Sequence, residues 1–284
     1  MSDPRFLASF DIEDWFHAEN LRDSLPSADW DTLEGRVERN TNALLDILAD
    51  AGAKSTFFVL GWIARRYPGL VRRMAADGHE VASHSDRHRR LYRMSRVDLT
   101  ADLARARDSL EQITGTRVWG LRAPIFSISE RVLDCLAEAG YWYDSSYYAF
   151  GAHDRYGDLT SVRDPDAALI EVRPGLLELP MSRLVLGPVA LPWSGGGYFR
   201  LIPYPVFRWG VEHRLGAREW FLFYFHPWEL DADERPPARL PRLRRFRAYV
   251  GRARMRDDLR RLLREFGSQR IDDTLRAAGH TPPD

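Results

Sequence analysis

One cysteine in 284 residues, Cys135, excludes an internal disulfide framework and any zinc site built from several thiolates. Set among Leu and Ala at helical spacing, it reads as a core residue. Lysine is equally scarce: Lys54 stands alone, so nearly all the positive charge is arginine. There is no surplus of either sign, 41 basic against 41 acidic residues, which removes the global field that draws proteins to nucleic acid. No run of about 18 apolar residues occurs, because the stretches near Leu184 and Trp220 are broken by Pro, Gly or charge. The opening MSDPRFLASFDIEDWF lacks the basic segment, apolar core and small-residue cleavage site of a secretion signal. The expectation is a soluble protein of a reducing, cytoplasmic compartment, without a nucleic-acid partner.

What is present is an alternation of short apolar runs and amphipathic stretches. Residues 6–10 read as a strand ending in the acidic group Asp11, Glu13 and Asp14. Residues 37–51 have helical leucine and alanine spacing closed by Gly52. Residues 54–60 read as a second strand, 62–77 as one helix closed by Gly78, and 79–83 as a third strand. A helix capped by Ser95, a strand at 118–121 and a helix at 129–139 continue the series. Such alternation predicts a parallel α/β sheet or barrel with its functional groups where strands end. Beyond about residue 151 the alternation fades. Three glycines in WSGGGYFRLIPYP suggest a turn or a close backbone approach to a ligand, 221–225 is a last buried strand delivering His226, and 240–266 is Arg-rich with helical leucines.

The candidate chemistry begins with HSDRH. His84 and His88 lie four apart directly after a strand, so two imidazoles can converge on one ion. Asp11 and Asp14 also lie at a strand end, and a carboxylate with two histidines is a familiar catalytic metal set with open positions. Arg122, in RAPIF after another strand, is placed to keep a carboxylate ionised and oriented.

In chain order the pieces are FDIED, HSDRH, RAPIF, YDSS, LELP and FYFHP. Together, over about residues 5–230, they resemble the polysaccharide deacetylases, the NodB-homology enzymes of carbohydrate esterase family four. FDIEDWFH, SGGGYFRLIPY and FYFHPWEL look closer still to the branch found in bacterial exopolysaccharide and exosortase loci. The resemblance implies a distorted (β/α) barrel of seven strands over residues 1–230, followed by an Arg-rich helical extension over 231–284. It also implies hydrolysis of an N-acetyl group from an amino sugar of a polysaccharide or its precursor, with one divalent metal: zinc, or else nickel, cobalt or iron. By position, Asp11 resembles the general base, His226 the general acid, Arg122 the partner of the base, and His84 and His88 the histidine ligands. The family's adjacent aspartates are interrupted here by Ile12. Asp14 is therefore the expected carboxylate ligand, with Glu13 as its rival. The family's acidic support for the acid histidine is also altered, leaving Asp144 or Glu178 to orient His226.

Tyr147, Tyr148, Trp193, Tyr198 and Phe199 are the expected lining of a sugar groove, since aromatic faces pack on sugar rings. The expected substrate is an acetylated biosynthetic glycan, handled in the cytoplasm or at the inner membrane face. Two rivals keep the fold and change the role: an amidohydrolase of a small cyclic ureide, and a silent member that only binds glycan. The basic stretch 239–264 is read as a helix that packs on the barrel, or that brings the chain peripherally to anionic lipid or a partner.

Overall fold

The structure is a computed structural model that describes residues 5–21, 29–149, 157, 159–234 and 241–283. Its first half runs β1 (Arg5–Ile12), α1 (Val37–Asp50), β2 (Thr56–Val59), α2 (Gly61–Arg66), α3 (Pro68–Ala76), β3 (Glu80–Ser83), α4 (Arg96–Thr114), β4 (Gly120–Leu121), α5 (Glu130–Glu138) and β5 (Tyr143–Asp144). The second runs β6 (Ile170–Arg173), β7 (Leu176–Glu178), β8 (Arg183–Leu186), β9 (Val189–Pro192), α6 (Gly196–Leu201), α7 (Tyr204–Ala217), β10 (Trp220–Phe225), α8 (Arg242–Tyr249), α9 (Arg252–Phe266) and α10 (Ile271–Ala277).

The main sheet has the order β10-β1-β2-β3-β4-β5-β7-β6. Its first seven strands are mutually parallel, and β6 adds an antiparallel edge to β7. The expected seven-stranded α/β barrel is therefore a curled sheet of seven parallel strands plus one, and it stays open between β6 and β10. Strand alternation sorts side chains onto two faces. In β1, Phe6, Ala8, Phe10 and Ile12 pack in the layer between sheet and helices, while Leu7 shares the inner cluster with Phe58, Ala82 and Leu222. Both faces are buried, which is why these strands read as near-continuous apolar runs.

Two expected helices are each split in two. The stretch 62–77 breaks between α2 and α3 at Tyr67–Pro68, because proline supplies no N–H and drives the preceding residue out of the helical region. The Arg-rich stretch breaks between α8 and α9 at Gly251, whose φ of 72° is left-handed. The C-terminal helices pack back on the sheet. Leu259, Leu262 and Leu263 join the core, the Ala8 amide donates to Ser268 Oγ at 3.0 Å, and the Ile271 amide donates to Thr56 Oγ1 at 2.9 Å. Cys135 is buried in α5. No helix among the described residues is long and apolar enough to cross a membrane.

Candidate active site

Parallel strands put their C-terminal ends at one rim, and Asp11, Glu13, His84, Arg122 and His226 all follow or close such ends. The β1/β10 register pairs Phe10 with Phe225, so its next step sets Asp11 beside His226. Among the described residues, four non-glycine residues have left-handed backbone, Ser85, His88, Ile125 and Phe126, and all lie in the loops after β3 and β4. Backbone strain of this kind gathers where surrounding structure over-determines the chain.

Glu13, His84 and His88 are buried together, with one donor atom from each inside a 4.8 Å span. Glu13 Oε1 lies 2.9 Å from His84 Nε2 and 2.7 Å from His88 Nε2. Their chemistry fits a cation. His84 Nδ1 lies 2.7 Å from the Arg122 carbonyl oxygen, which can only accept, so Nδ1 carries a proton and Nε2 is the ring nitrogen turned to the Glu13 carboxylate, where a proton or a metal ion can sit between them. Burial opposes charge on Glu13, yet His88 and His226, with hydrogen bonds from His84 and His88, hold its carboxyl well below the usual range.

Asp14, the expected ligand, is used elsewhere. Its Oδ1 accepts the Trp15 amide at 2.9 Å, and its Oδ2 accepts the amides of Arg36 and Val37 at 2.7 and 3.0 Å, capping the start of α1. The Asp14 amide donates to His17 Nδ1 at 2.8 Å, closing a reciprocal cap on the turn Trp15–His17. Burial pushes the Asp14 carboxyl up to about 6. The carboxylate set against the imidazoles is Glu13. Asp14→Ala is accordingly expected to cost on the order of 2–3 kcal/mol of stability, through three amides left without a partner, while metal content by elemental analysis is unchanged.

Asp11 and Arg122 form an interior ion pair: Arg122 Nη1 donates to Asp11 Oδ1 at 2.8 Å. Arg122 is fully buried, its Nε and Nη2 held by the Ser145 carbonyl and hydroxyl at 3.0 Å each, and its guanidinium lies 4.1 Å from the centre of the Phe58 ring. Asp11 Oδ2 faces the cavity, 4.0 Å from His226 Nε2, and Glu13 Oε1 lies 3.9 Å from the same nitrogen.

Neither Asp144 nor Glu178 orients His226. Glu178 Oε1 accepts the amides of Ser146 and Tyr147, and Asp144 Oδ1 accepts the Ser146 hydroxyl, so both brace the loop that carries Ser145 beneath Arg122. Burial raises both carboxyls, and Asp144 helps push Glu178 well above its usual range.

The group on His226 is Glu229, three residues along, which the sequence reading missed. Its Oε1 accepts from His226 Nδ1 at 3.0 Å and from the His226 amide at 3.1 Å, inside the turn Pro227–Leu230. Its Oε2 accepts from Arg200 Nε at 2.7 Å, and Arg200 in turn donates to the carbonyls of Val250 and Arg247 at the end of α8. Burial works against charge on Glu229, but Arg200 and His226 hold it down to about 2. Burial likewise disfavours the His226 imidazolium, yet Glu13, Glu229 and Asp11 push it up to about 9. A cation on Glu13 offsets that carboxylate's share and leaves the other two.

The cavity over these groups has a volume of about 250 Å³ and is lined in part by Asp11, Glu13, His88, Phe126, Tyr224, Trp228 and Arg247. The five expected groove aromatics do not line it. Trp193 stacks on Phe207 and donates to its carbonyl, Phe199 packs against Phe207 and Phe223, and Tyr147 and Tyr148 are buried in the two core clusters. Tyr198, half-buried, is also absent from the wall. Apolar packing claimed these rings before any ligand could. The glycine run does approach the site: Gly196 and Gly197 line the cavity, and a Cβ on Gly196 would collide with Phe225 and the Glu229 carboxylate.

A family model described as polysaccharide deacetylase matches residues 28–143, and one described as a domain of unknown function, DUF3473, matches residues 145–276. Residues 28–143 thus resemble the polysaccharide deacetylase family. A chitooligosaccharide deacetylase from Sinorhizobium fredii is 35% identical over 142 residues, 49% of this chain and 64% of its own length. A chitin deacetylase from Pestalotiopsis is 34% identical over 36% of this chain and 35% of its own. The chain thus spans less than two thirds of these curated relatives. In fold, a Mycobacterium smegmatis structure assigned as a polysaccharide deacetylase is similar with a TM-score of 0.64 at 22% identity, covering 99% of this chain and 93% of that one. A Bacillus anthracis structure described as a CE4 family pseudoenzyme follows at 0.52 and 11%, covering 96% and 66%. The deacetylase fold therefore houses a protein described as inactive, and activity has to be argued from side chains. Here the site straddles the two matched segments. His84, His88 and Arg122 lie in the deacetylase segment, while Arg200, His226 and Glu229 lie in the DUF3473 segment.

Proposed function

We propose that this protein is a member of the polysaccharide deacetylase family and a metal-dependent hydrolase that removes N-acetyl groups from amino sugars of a glycan. The observation that carries the reading is the placement of His226 Nε2 about 4 Å from both Asp11 Oδ2 and Glu13 Oε1, with a cavity opening onto all three. Glu13, His84 and His88 would hold the ion. A divalent ion there supplies Lewis acidity toward the amide carbonyl and a lowered pKa for bound water, chemistry open to zinc, cobalt, nickel or iron.

The remaining work belongs to the side chains. An amide is a poor electrophile with a poor leaving group, so it needs a proton removed on one side and supplied on the other. Arg122 occupies Asp11 Oδ1, which leaves Oδ2 to take the proton of the attacking water. His226 Nε2, about 4 Å away at the end of the neighbouring strand, donates to the departing nitrogen. Glu229 holds Nδ1, which keeps Nε2 directed at the cavity and favours the charged ring before transfer. A volume of 250 Å³ takes about one acetylated ring, with Trp228, Tyr224 and Phe126 as apolar walls.

The test is acetate release from chitooligosaccharides by protein reconstituted with each of these ions, monitored with appearance of free amine. Acetate and amine in equal amounts, abolished by a chelator and restored by the ion, is the expected result. Metal-loaded protein that binds these oligomers and releases no acetate would leave the glycan-binding reading in its place.

A further inference from the structure

Arg247 and Ala248, which line the catalytic cavity, belong to α8, and Arg242, Leu243, Arg245 and Phe246 of that helix are exposed. Leu243 is 63% exposed and Phe246 54% exposed, one turn apart on the same face. Around them the helix reads RLRRFRAY, four arginines and no acidic residue. Arg242, Arg245 and Arg247 are exposed, and among the described residues none of them has an ion-pair partner. The contrast is α9, where Arg254 pairs with Asp258 and Arg261 with Glu265. A chain with no net charge has concentrated unpaired cations and exposed apolar side chains on two turns at the mouth of its cavity.

The helix is also held at a fixed angle. Arg200 binds the carbonyls of Arg247 and Val250, Tyr249 donates to Glu234 at 2.7 Å, and the Arg252 guanidinium lies 4.0 Å from the centre of the Tyr249 ring. A free eight-residue helix would be marginal in water, but this one is prepaid by its anchors.

We propose that α8 is a docking surface for an anionic lipid bilayer, with Leu243 and Phe246 entering the headgroup boundary and the arginines meeting lipid phosphates. Charge complementarity selects this occupant: apolar residues alone would suit any hydrophobic partner, whereas a surplus of unpaired guanidinium groups around them matches a sheet of anions. Docking in this pose sets the mouth of the catalytic cavity against the membrane surface. Each arginine near an anionic leaflet is worth roughly a fivefold gain in partition, and burying the two apolar side chains adds about tenfold or more. The proposal concerns binding and holds whatever amide the cavity hydrolyses.

The experiment is co-sedimentation of the full chain with phosphatidylcholine vesicles, with and without about 30% phosphatidylglycerol, at about 20 and 500 mM salt. The wild type is expected to pellet with the anionic vesicles at low salt and to be released at high salt. Leu243→Ser/Phe246→Ser and Arg242→Gln/Arg245→Gln change exposed positions, so both should keep the wild-type melting temperature and bind at least tenfold more weakly. No pelleting at low salt overturns the proposal. So does undiminished pelleting of Leu243→Ser/Phe246→Ser, which would reduce the effect to adsorption of charge. A wild-type dimer in sedimentation velocity that this double variant dissolves, without vesicle binding, would assign the face to a second copy of the chain instead.

Discussion

Glu13→Gln protein is expected to retain less than about a tenth of the divalent metal carried by wild type, and to lose acetate release by at least 10³-fold. The substitution keeps the shape of the side chain and removes its charge, so a cation facing His84 and His88 loses the carboxylate that lies against both imidazoles. The amide oxygen can still accept from the same two imidazoles, so the fold should stay intact and the melting temperature of the metal-free protein within a few degrees of wild type. His84→Ala and His88→Ala should show the same loss of metal. Elemental analysis of the three variants beside Asp14→Ala separates the two acidic neighbours. Loss of metal in Asp14→Ala with retention in Glu13→Gln would return the carboxylate role to Asp14.

His226→Ala should do the reverse: full metal content with kcat reduced by about 10²–10⁴-fold and KM little changed, the signature of a group that acts on the leaving nitrogen. Glu229→Gln should fall between it and wild type, on the order of 10–100-fold in kcat, because the imidazole keeps a hydrogen-bond partner at Nδ1 and loses the negative charge behind it. Arg200→Ala is expected to damage stability as well, since it leaves the Glu229 carboxylate buried without its cation. Arg200→Lys should recover part of that stability. A merely structural role for Glu229 would lower the melting temperature of Glu229→Gln while leaving kcat per folded molecule unchanged. Metal analysis and steady-state kinetics on the same preparations decide between these outcomes.

Several of these assignments were open to a closer reading of the chain. Asp11 and Glu13 are two apart at the end of an extended run, so they point to one face, whereas Asp14 falls out of step; strand alternation favours Glu13 over its neighbour. The supporting Glu229 follows His226 at the spacing of a turn that opens with Pro227, a local signal for a carboxylate reaching back to a ring. Arg200 left no such trace. It lies 26 residues before His226 and reaches Glu229 only because α6 packs beside β10. The aromatic assignments failed for a related reason. A Trp or Phe that fills a core and one that walls a sugar site have the same chemistry, and only packing separates Trp193 and Phe199 from Trp228 and Tyr224.

The sequence by itself determined the alternation of strands and helices, the order of the motifs and the spacing of the histidine pair, because these follow from local periodicity, while Asp11, Arg122 and His226 stood out through the order of motifs that carries the family resemblance. Tertiary structure decided which carboxylate meets the imidazoles, which one holds His226, where the sheet stays open, and that α8 of the C-terminal segment walls the cavity. Those are contacts between elements far apart in the chain, such as Glu13 with His84 or Arg200 with Val250, and their distances are set by the curl of the sheet and the packing of helices on it.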